Sequence, residues 1–341
     1  MWLVSFERAR SGADSPASIG AARLGFEVLD GVAQGSRRLG AILTTGPRAE
    51  CVVDLNRALA VKLAAEDVGA PEAEADSLLP ADAQGFLRRG SAALDAARDV
   101  LSWVESALQR YDAPDLRGAG VVTPRRGVRL FPPVPRPGKL IAVESNYAAP
   151  GVARPARPEL FLEAASAVAG PEGEISLEGA AQVRFQGGLA AVIGRAARDV
   201  APERALECVA GYCVAIDFWA SGAAGGRPDL LARSRDGSTP IGPTLVTCDE
   251  IPDPQDLGIR VRRSRETLQV GRTKEMLFPV ADLLAFASSR VTLEPGDLLL
   301  TGGLPTPEAV LPALRDGDVV EVEIERVGKL SCYVRVAASG V

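Results

Sequence analysis

The 341-residue chain contains no histidine. Imidazole is the one side chain whose ordinary charge change falls between about pH 5 and 8, so its absence excludes histidine triads, HExxH zinc sites and imidazole-ligated haem. Proton transfer near neutral pH falls instead to a perturbed carboxylate, a Cys, Lys or Tyr side chain, or water. Lysine is scarce as well. Lys62, Lys139, Lys274 and Lys329 are the only four, against thirty-four arginines. The five cysteines, Cys51, Cys208, Cys213, Cys248 and Cys332, are odd in number and form no CxxC, which indicates neither a disulfide framework nor a zinc cluster. They read as small buried hydrophobes in a reducing compartment. No stretch approaches the roughly 18 uninterrupted apolar residues of a membrane span, and the opening MWLVSFERARSG lacks the pattern of a secretory leader. A cytoplasmic protein with no membrane partner is the expectation. A net charge of -6 argues against a nucleic-acid partner, which would need a basic face. The densest basic run, Arg260 to Arg265, reads as a solvated strand face. Walker, GxGxxG, GxSxG and EF-hand motifs are all missing, and the glycine run Gly222 to Gly226, without a following Lys-Ser/Thr, reads as a loop.

What is present is an ordinary globular composition, 47% hydrophobic and 24% charged, long enough for two domains. Residues 1–110 form a small N-terminal domain. Short apolar runs at Met1 to Phe6, Leu24 to Leu29 and Leu39 to Leu43 suit a small sheet. A long helix is expected near 82–110, where Leu87, Leu94, Ala97, Leu101, Val104 and Leu108 keep one apolar stripe. Residues 111–138 carry six prolines and read as a linker. Residues 139–338 form the C-terminal domain. Strands are expected there at Leu140 to Val143, Leu189 to Ile193, Val209 to Ile216, Thr244 to Val246, Leu298 to Thr301, Val319 to Ile324 and Leu330 to Val336, with helices near Pro202 to Val209 and Pro279 to Ser288. The fold class is mainly β with peripheral helices (α+β).

Several segments recur in a recognisable order. They are Lys139-Leu-Ile-Ala-Val-Glu-Ser-Asn-Tyr147, Glu159-Leu-Phe-Leu162, Gly188-Leu-Ala-Ala-Val-Ile-Gly-Arg195, Val209 to Asp217, Arg233-Ser-Arg-Asp236 with Pro240-Ile-Gly-Pro243, Thr292 to Asp297, and Thr301-Gly302. Together they resemble the C-terminal domain of the fumarylacetoacetate hydrolase superfamily, and the N-terminal unit is similar to the small first domain of those proteins. The resemblance implies a β-roll catalytic domain, a homodimer, and chemistry on small diketo or oxo acids. It also implies a divalent cation, commonly Mg²⁺, held by carboxylates, with a His-Glu pair activating water and a Lys beside the enolate.

The chain departs from that pattern where the chemistry sits. Gln186-Gly187-Gly188 occupies the register of the family's acidic-x-acidic segment, and Asp217 alone keeps a metal-ligand position. Pro150 stands near the place of the histidine, and Arg233 matches the lysine. One carboxylate and an amide hold a hard cation weakly, so no cofactor is expected and Mg²⁺ is disfavoured. This joint loss points to a pseudoenzyme, a scaffold that binds a small carboxylate ligand or a partner. The alternative is a divergent, metal-independent isomerase, decarboxylase or hydrolase on an oxo acid or a related larger substrate. Tyr147, Arg233, Asp217 and Asp236 would then carry polarisation and proton transfer, with Gln186, Thr301 and Gly302 contacting the ligand. A second alternative keeps the ordinary metal-dependent C–C bond hydrolase by pairing Asp217 with a relocated carboxylate such as Glu144, Glu159 or Glu163. For each residue a purely structural role competes: a turn cap for Asp217, a buried anchor for Tyr147, and mutual pairing for Arg233 and Asp236.

Overall fold

The computed structural model describes residues 1–8, 37–43, 51–110, 113–148, 154–171, 173–176, 182–221, 233–305 and 314–335. The chain divides into two compact units, Met1–Phe131 and Pro132–Val341. The expected strand at Leu24 to Leu29, the glycine run from Gly222 and the position of Pro150 lie outside the described residues.

In the first unit, β1 (Trp2–Arg8), β2 (Arg38–Ile42), β3 (Cys51–Asp54), β4 (Val122–Pro124) and β5 (Val128–Phe131) form an antiparallel sheet in the order β4-β3-β2-β1-β5. Val4, Phe6, Val52, Val128 and Leu130 make its core cluster. Asp54 ends β3 and caps α1 (Leu55–Ala65) by accepting the Arg57 N–H. It is buried between Arg8 and Arg38.

Two sequence expectations are corrected here. The helix expected near 82–110 is two helices, α3 (Ala83–Arg89) and α4 (Ser91–Arg110), because Gly90 takes φ 64° and stops the first. α1 and α2 (Pro71–Leu78) precede them, marked in sequence only by the Asp54 cap and by Pro71 at the first helical position. After α5 (Ala113–Gly118), the proline-rich segment read as a linker supplies β4 and β5 to the sheet, and the division falls between Phe131 and Pro132. Pro124 is accommodated because it closes a short strand.

In the second unit, one sheet runs β12-β11-β10-β15-β6-β7 through β6 (Leu140–Glu144), β7 (Glu159–Glu163), β10 (Gln182–Ile193), β11 (Val209–Ser221), β12 (Thr239–Thr247) and β15 (Leu298–Leu300). β8 (Val168–Ala169) pairs parallel to β12. A second sheet runs β14-β13-β16-β17-β9 through β9 (Glu174–Ser176), β13 (Gly258–Arg263), β14 (Glu266–Arg272), β16 (Val319–Ile324) and β17 (Gly328–Arg335). The helices α6 (Pro202–Ala205) and α7 (Val280–Ser288) are short. This is the mainly β architecture with peripheral helices that the sequence led us to expect. The basic run lies on β13 and its turn, where Arg260, Arg262 and Arg263 pair with Glu323, Glu321 and Glu266.

Three local devices position the site. The buried side chain of Asn146 accepts the Phe278 N–H and donates to the carbonyls of Phe278 and Thr301, clasping the end of β6 against the chain beyond β15. Buried Asp297 accepts the backbone N–H groups of Lys139 and Glu294 and pairs with the Lys139 ammonium at 2.7 Å, which fixes the parallel β6–β15 contact. Backbone also closes tightly around the middle of β10. A Cβ at Gly188 would run into the Gly302 carbonyl, one at Gly187 into Val322, and one at Gly303 would lie 2.8 Å from the Gly187 oxygen. Gly188→Ala is therefore expected to cost about 1–3 kcal/mol, the usual range for overpacking. Gly69→Ala, where an added Cβ meets nothing within 4 Å, should be near neutral. Urea titrations of both variants check this, and equal midpoints would contradict it.

Candidate functional site

The site is built on the long β10–β11 pair, whose register sets Gln186 opposite Asp217. The Gln186 amide nitrogen donates to Asp217 Oδ2 at 3.0 Å, and Arg233 Nη1 donates to the same oxygen at 3.2 Å. The other arm of the guanidinium, Nη2, donates to Glu144 Oε2 at 2.9 Å. Arg233 also packs against two rings, with Cζ 4.6 Å from the Phe161 centroid and 4.5 Å from that of Trp219. A cation over an aromatic face is attracted by the ring quadrupole, most strongly where water is excluded. Water is largely excluded here: Arg233 is 5% exposed and Asp217 2%.

β7 contributes a further carboxyl group. Glu163 is buried and its Oε2 accepts the Thr239 hydroxyl at 2.9 Å. Two buried oxygens of these residues, Asp217 Oδ1 and Glu163 Oε1, have no hydrogen-bond partner among the described residues, and neither has the buried Tyr147 hydroxyl elsewhere in this unit. An unsatisfied buried polar atom costs desolvation energy, so each of these oxygens favours a hydrogen-bond partner.

Burial sets the protonation of these acids. It pushes Asp217 up to about 6, opposed by the Arg233 charge and the Gln186 hydrogen bond and assisted by the negative charge of Glu144. It pushes Glu163 further, to about 8, with the charge of Asp217 adding to burial and the Thr239 hydrogen bond and Arg233 opposing. The two acids interact, so their protons come off as a pair with one group favoured protonated and the other ionised near neutral pH. The Tyr147 phenol is driven well above its ordinary value by burial and by the charge of Glu275, so it stays protonated.

The donor set does not fit Mg²⁺. A hard dication needs converging oxygens with free lone pairs, whereas Asp217 Oδ2 already accepts from an amide and a guanidinium. The relocated pair of Asp217 and Glu144 does converge, but on the guanidinium of Arg233. Among the described residues no three His, Cys, Asp or Glu side chains are grouped to hold a metal ion.

Of the residues singled out in sequence, Asp217, Arg233, Gln186 and Glu144 come together. Asp236 does not join them: it is exposed in a turn, and the ion pairs of Arg233 run to Asp217 and Glu144 instead. Thr301 is buried with its hydroxyl on the Leu189 carbonyl, and Gly302 (φ 82°) allows close approach to Asn146, so both serve the backbone. Tyr147 is a buried anchor, bridged to Met276 through the backbone. Phe161 and Trp219 were not singled out in sequence. The available signal was the strand period of two, which puts Phe161 on the face of Glu163 and Trp219 on that of Asp217.

Comparison with known proteins places the chain in a family. Residues 139–335 match the family model described as fumarylacetoacetate (FAA) hydrolase C-terminal. The chain is 34% identical over 270 residues to the mitochondrial oxaloacetate tautomerase fahd2 of Xenopus laevis, covering 75% of this chain and 79% of that protein. It is 37% identical over 225 residues to the maleylpyruvate hydrolase of Aquipseudomonas alcaligenes, covering 61% and 76%. The crystal structure of maleylpyruvate hydrolase from Sphingobium sp. SYK-6 shares the fold, with a TM-score of 0.67 at 24% identity over 99% of this chain and all of that one. No helix among the described residues is long and apolar enough to cross a membrane.

The raised pKa of Glu163 has a signature in stability. A carboxyl that the fold prefers protonated contributes stability fully below its unfolded value, and that contribution is lost as pH rises through the folded one. The urea midpoint of the protein should thus fall from about pH 4.5 towards about pH 8. Glu163→Gln, which can still accept from Thr239, should flatten the limb between about pH 6 and 8. Parallel profiles for the two proteins would show that Glu163 does not hold the proton.

Proposed function

The chain belongs to the fumarylacetoacetate hydrolase family, and from that membership and the site geometry we propose that it is a divergent enzyme acting on an oxo acid without the family's divalent cation. The observation that carries this reading is the pairing of an ionisable acid and a protonated acid, each with a buried unpartnered oxygen, beside a guanidinium. The tautomerase and hydrolase named among its relatives favour activity over an inert scaffold.

The reaction that fits best is keto–enol isomerisation. Asp217 Oδ1, ionised at neutral pH, removes the proton from the carbon beside the carbonyl. Glu163, protonated, delivers a proton to the carbonyl oxygen as the electron pair moves onto it, and after the enol leaves, one proton passing from Asp217 to Glu163 resets the pair. Arg233 supplies a fixed positive charge beside the developing enolate, and dryness makes that charge count for more than it would in water. Matching two acids on either side of neutrality is a recurrent way to perform acid and base roles in one pocket. The small oxo-acid ligand and the homodimer belong to the same proposal.

A second reading, a binding scaffold without turnover, is favoured by one observation: both arms of Arg233 are already paired and the group is 5% exposed. The two separate on a simple assay. Ultraviolet decay of enol-oxaloacetate should be faster with the protein than in buffer, and Asp217→Asn or Glu163→Gln should lower the rate by roughly 10²- to 10⁴-fold, the usual worth of a general acid or base. Oxaloacetate binding with a decay rate equal to that of buffer would overturn the enzymatic reading and leave the scaffold.

A further inference from the structure

Both arms of Arg233 are paired, yet the two partners are held in different ways. We infer that Glu144 is an internal stand-in for the ligand: its carboxylate occupies the place on the Arg233 guanidinium that the carboxylate of an oxo acid takes, and it swings out to water when that ligand binds. The inference rests on the reading of this pocket as an oxo-acid site, and not on turnover.

The surroundings of the two acids differ. Asp217 stands within β11 between β10 and β12, its side chain is 3% exposed, and Oδ2 accepts from Gln186 as well as from Arg233. Glu144 is the last residue of β6, and its side chain is 31% exposed. Among the described residues its carboxylate accepts one hydrogen bond, the 2.9 Å contact from Arg233 Nη2. Solvent therefore reaches the ion pair from the Glu144 side, while Asp217 keeps Nη1 from within.

The backbone at Glu144 is fixed and its side chain is not. Ser145, the next residue, takes φ 53°, so the chain leaves the extended conformation immediately after Glu144. The Asn146 side chain pins that turn to Phe278 and Thr301. Release of Glu144 thus asks for rotation of one side chain and leaves the strand in place. The β6–β7 register also sets Glu159 directly opposite Glu144, and like charges in that arrangement repel. An incoming carboxylate adds a third negative group beside one guanidinium arm. That repulsion is relieved when the solvent-facing Glu144 gives way.

The exchange strands no charge. Glu144 turns to water, and Arg233 trades one charge-assisted hydrogen bond for another of the same kind. Because Nη1 and Nη2 belong to one rigid fork, a carboxylate on Nη2 is set beside Asp217, the proposed base, which stays on Nη1. A ligand without a carboxylate has nothing equivalent to offer Nη2, so the exchange selects acids over the corresponding amides. It also lowers affinity, since a protein that is open to its ligand only part of the time binds more weakly in proportion to that fraction. Removing Glu144 removes the penalty.

The probe is pyruvate, a stable oxo acid, with pyruvamide as its neutral counterpart, titrated calorimetrically into full-length protein near neutral pH. Glu144→Gln, which leaves a neutral and weaker acceptor, should bind pyruvate roughly tenfold or more tightly than wild type, and Glu144→Ala no less tightly than Glu144→Gln. Pyruvamide binding should not change. Arg233→Met on the Glu144→Gln background should abolish the gain. Circular dichroism verifies folding, and each Glu144 variant stands in for the other if one does not fold. Unchanged or weaker pyruvate binding by a folded variant would overturn the inference. So would an equal gain for pyruvamide, absence of pyruvate binding by every protein, or failure of both Glu144 variants to fold, which would make Glu144 a structural partner. The enol-oxaloacetate assay keeps the two claims apart. Tighter pyruvate binding without catalysed decay removes the enzyme and leaves the exchange, whereas catalysed decay without tighter binding does the reverse.

Discussion

A guanidinium shared by two carboxylates in a water-poor pocket constrains everything around it. Arg233 cannot leave Asp217 and Glu144 without stranding them, and neither acid can be removed without stranding the other charges. Each partner is therefore held by a rigid element. Asp217 stands in the longest strand pairing of the second unit, Glu144 ends a strand clasped by Asn146 and Asp297, and Arg233 packs against the rings of Phe161 and Trp219. The glycines at 187, 188, 302 and 303 let backbone close the floor beneath them.

That constraint also organises the proton inventory. With one cation among Asp217, Glu144 and Glu163, the cluster carries more acid than base, and burial removes the solvent that would spread the excess. Protonation of Glu163 is the economical release, which is why this acid is pushed to about 8 while Asp217, in direct contact with Arg233, is pushed only to about 6. In the proposed mechanism an acid pair split in this way does the work of the histidine that the chain lacks. A bound dication and an arginine both supply positive charge, but they differ in kind. The ion accepts lone pairs directly and exchanges with solvent, whereas the guanidinium acts through N–H donors in a fixed fork and cannot be lost.

Much of this was legible in the sequence, and the rest failed for identifiable reasons. The family pattern placed Asp217, Gln186 and Arg233 in one site, and apolar runs, with turn signals and one stretch of alternation, found most of the strands of the second unit. Gly90 was hidden inside an apolar stripe that continues across it, since periodicity records side-chain faces and not a backbone turn at φ 64°. β4 and β5 were hidden by prolines that sequence reading weights as breakers. Asp236 seemed the natural partner of Arg233 because the two are close in sequence, yet the arginine reaches across the sheet to Glu144, 89 positions away. Thr301 and Gly302 stand among the ligand contacts in sequence because they match a segment of the family pattern, and the packing shows that they hold backbone. In sequence Glu163 is one of three candidates for a relocated metal ligand; the burial that raises its pKa is a property no single residue letter carries.

The central claim is that a fixed side chain, not a diffusible ion, provides the positive charge at this site. The most direct test is the rate of oxo-acid turnover by wild-type protein after exhaustive dialysis against a chelator, compared with the same protein resupplied with Mg²⁺ or Mn²⁺. The account requires the two rates to be equal. Loss of activity on dialysis and its recovery with either ion would contradict it.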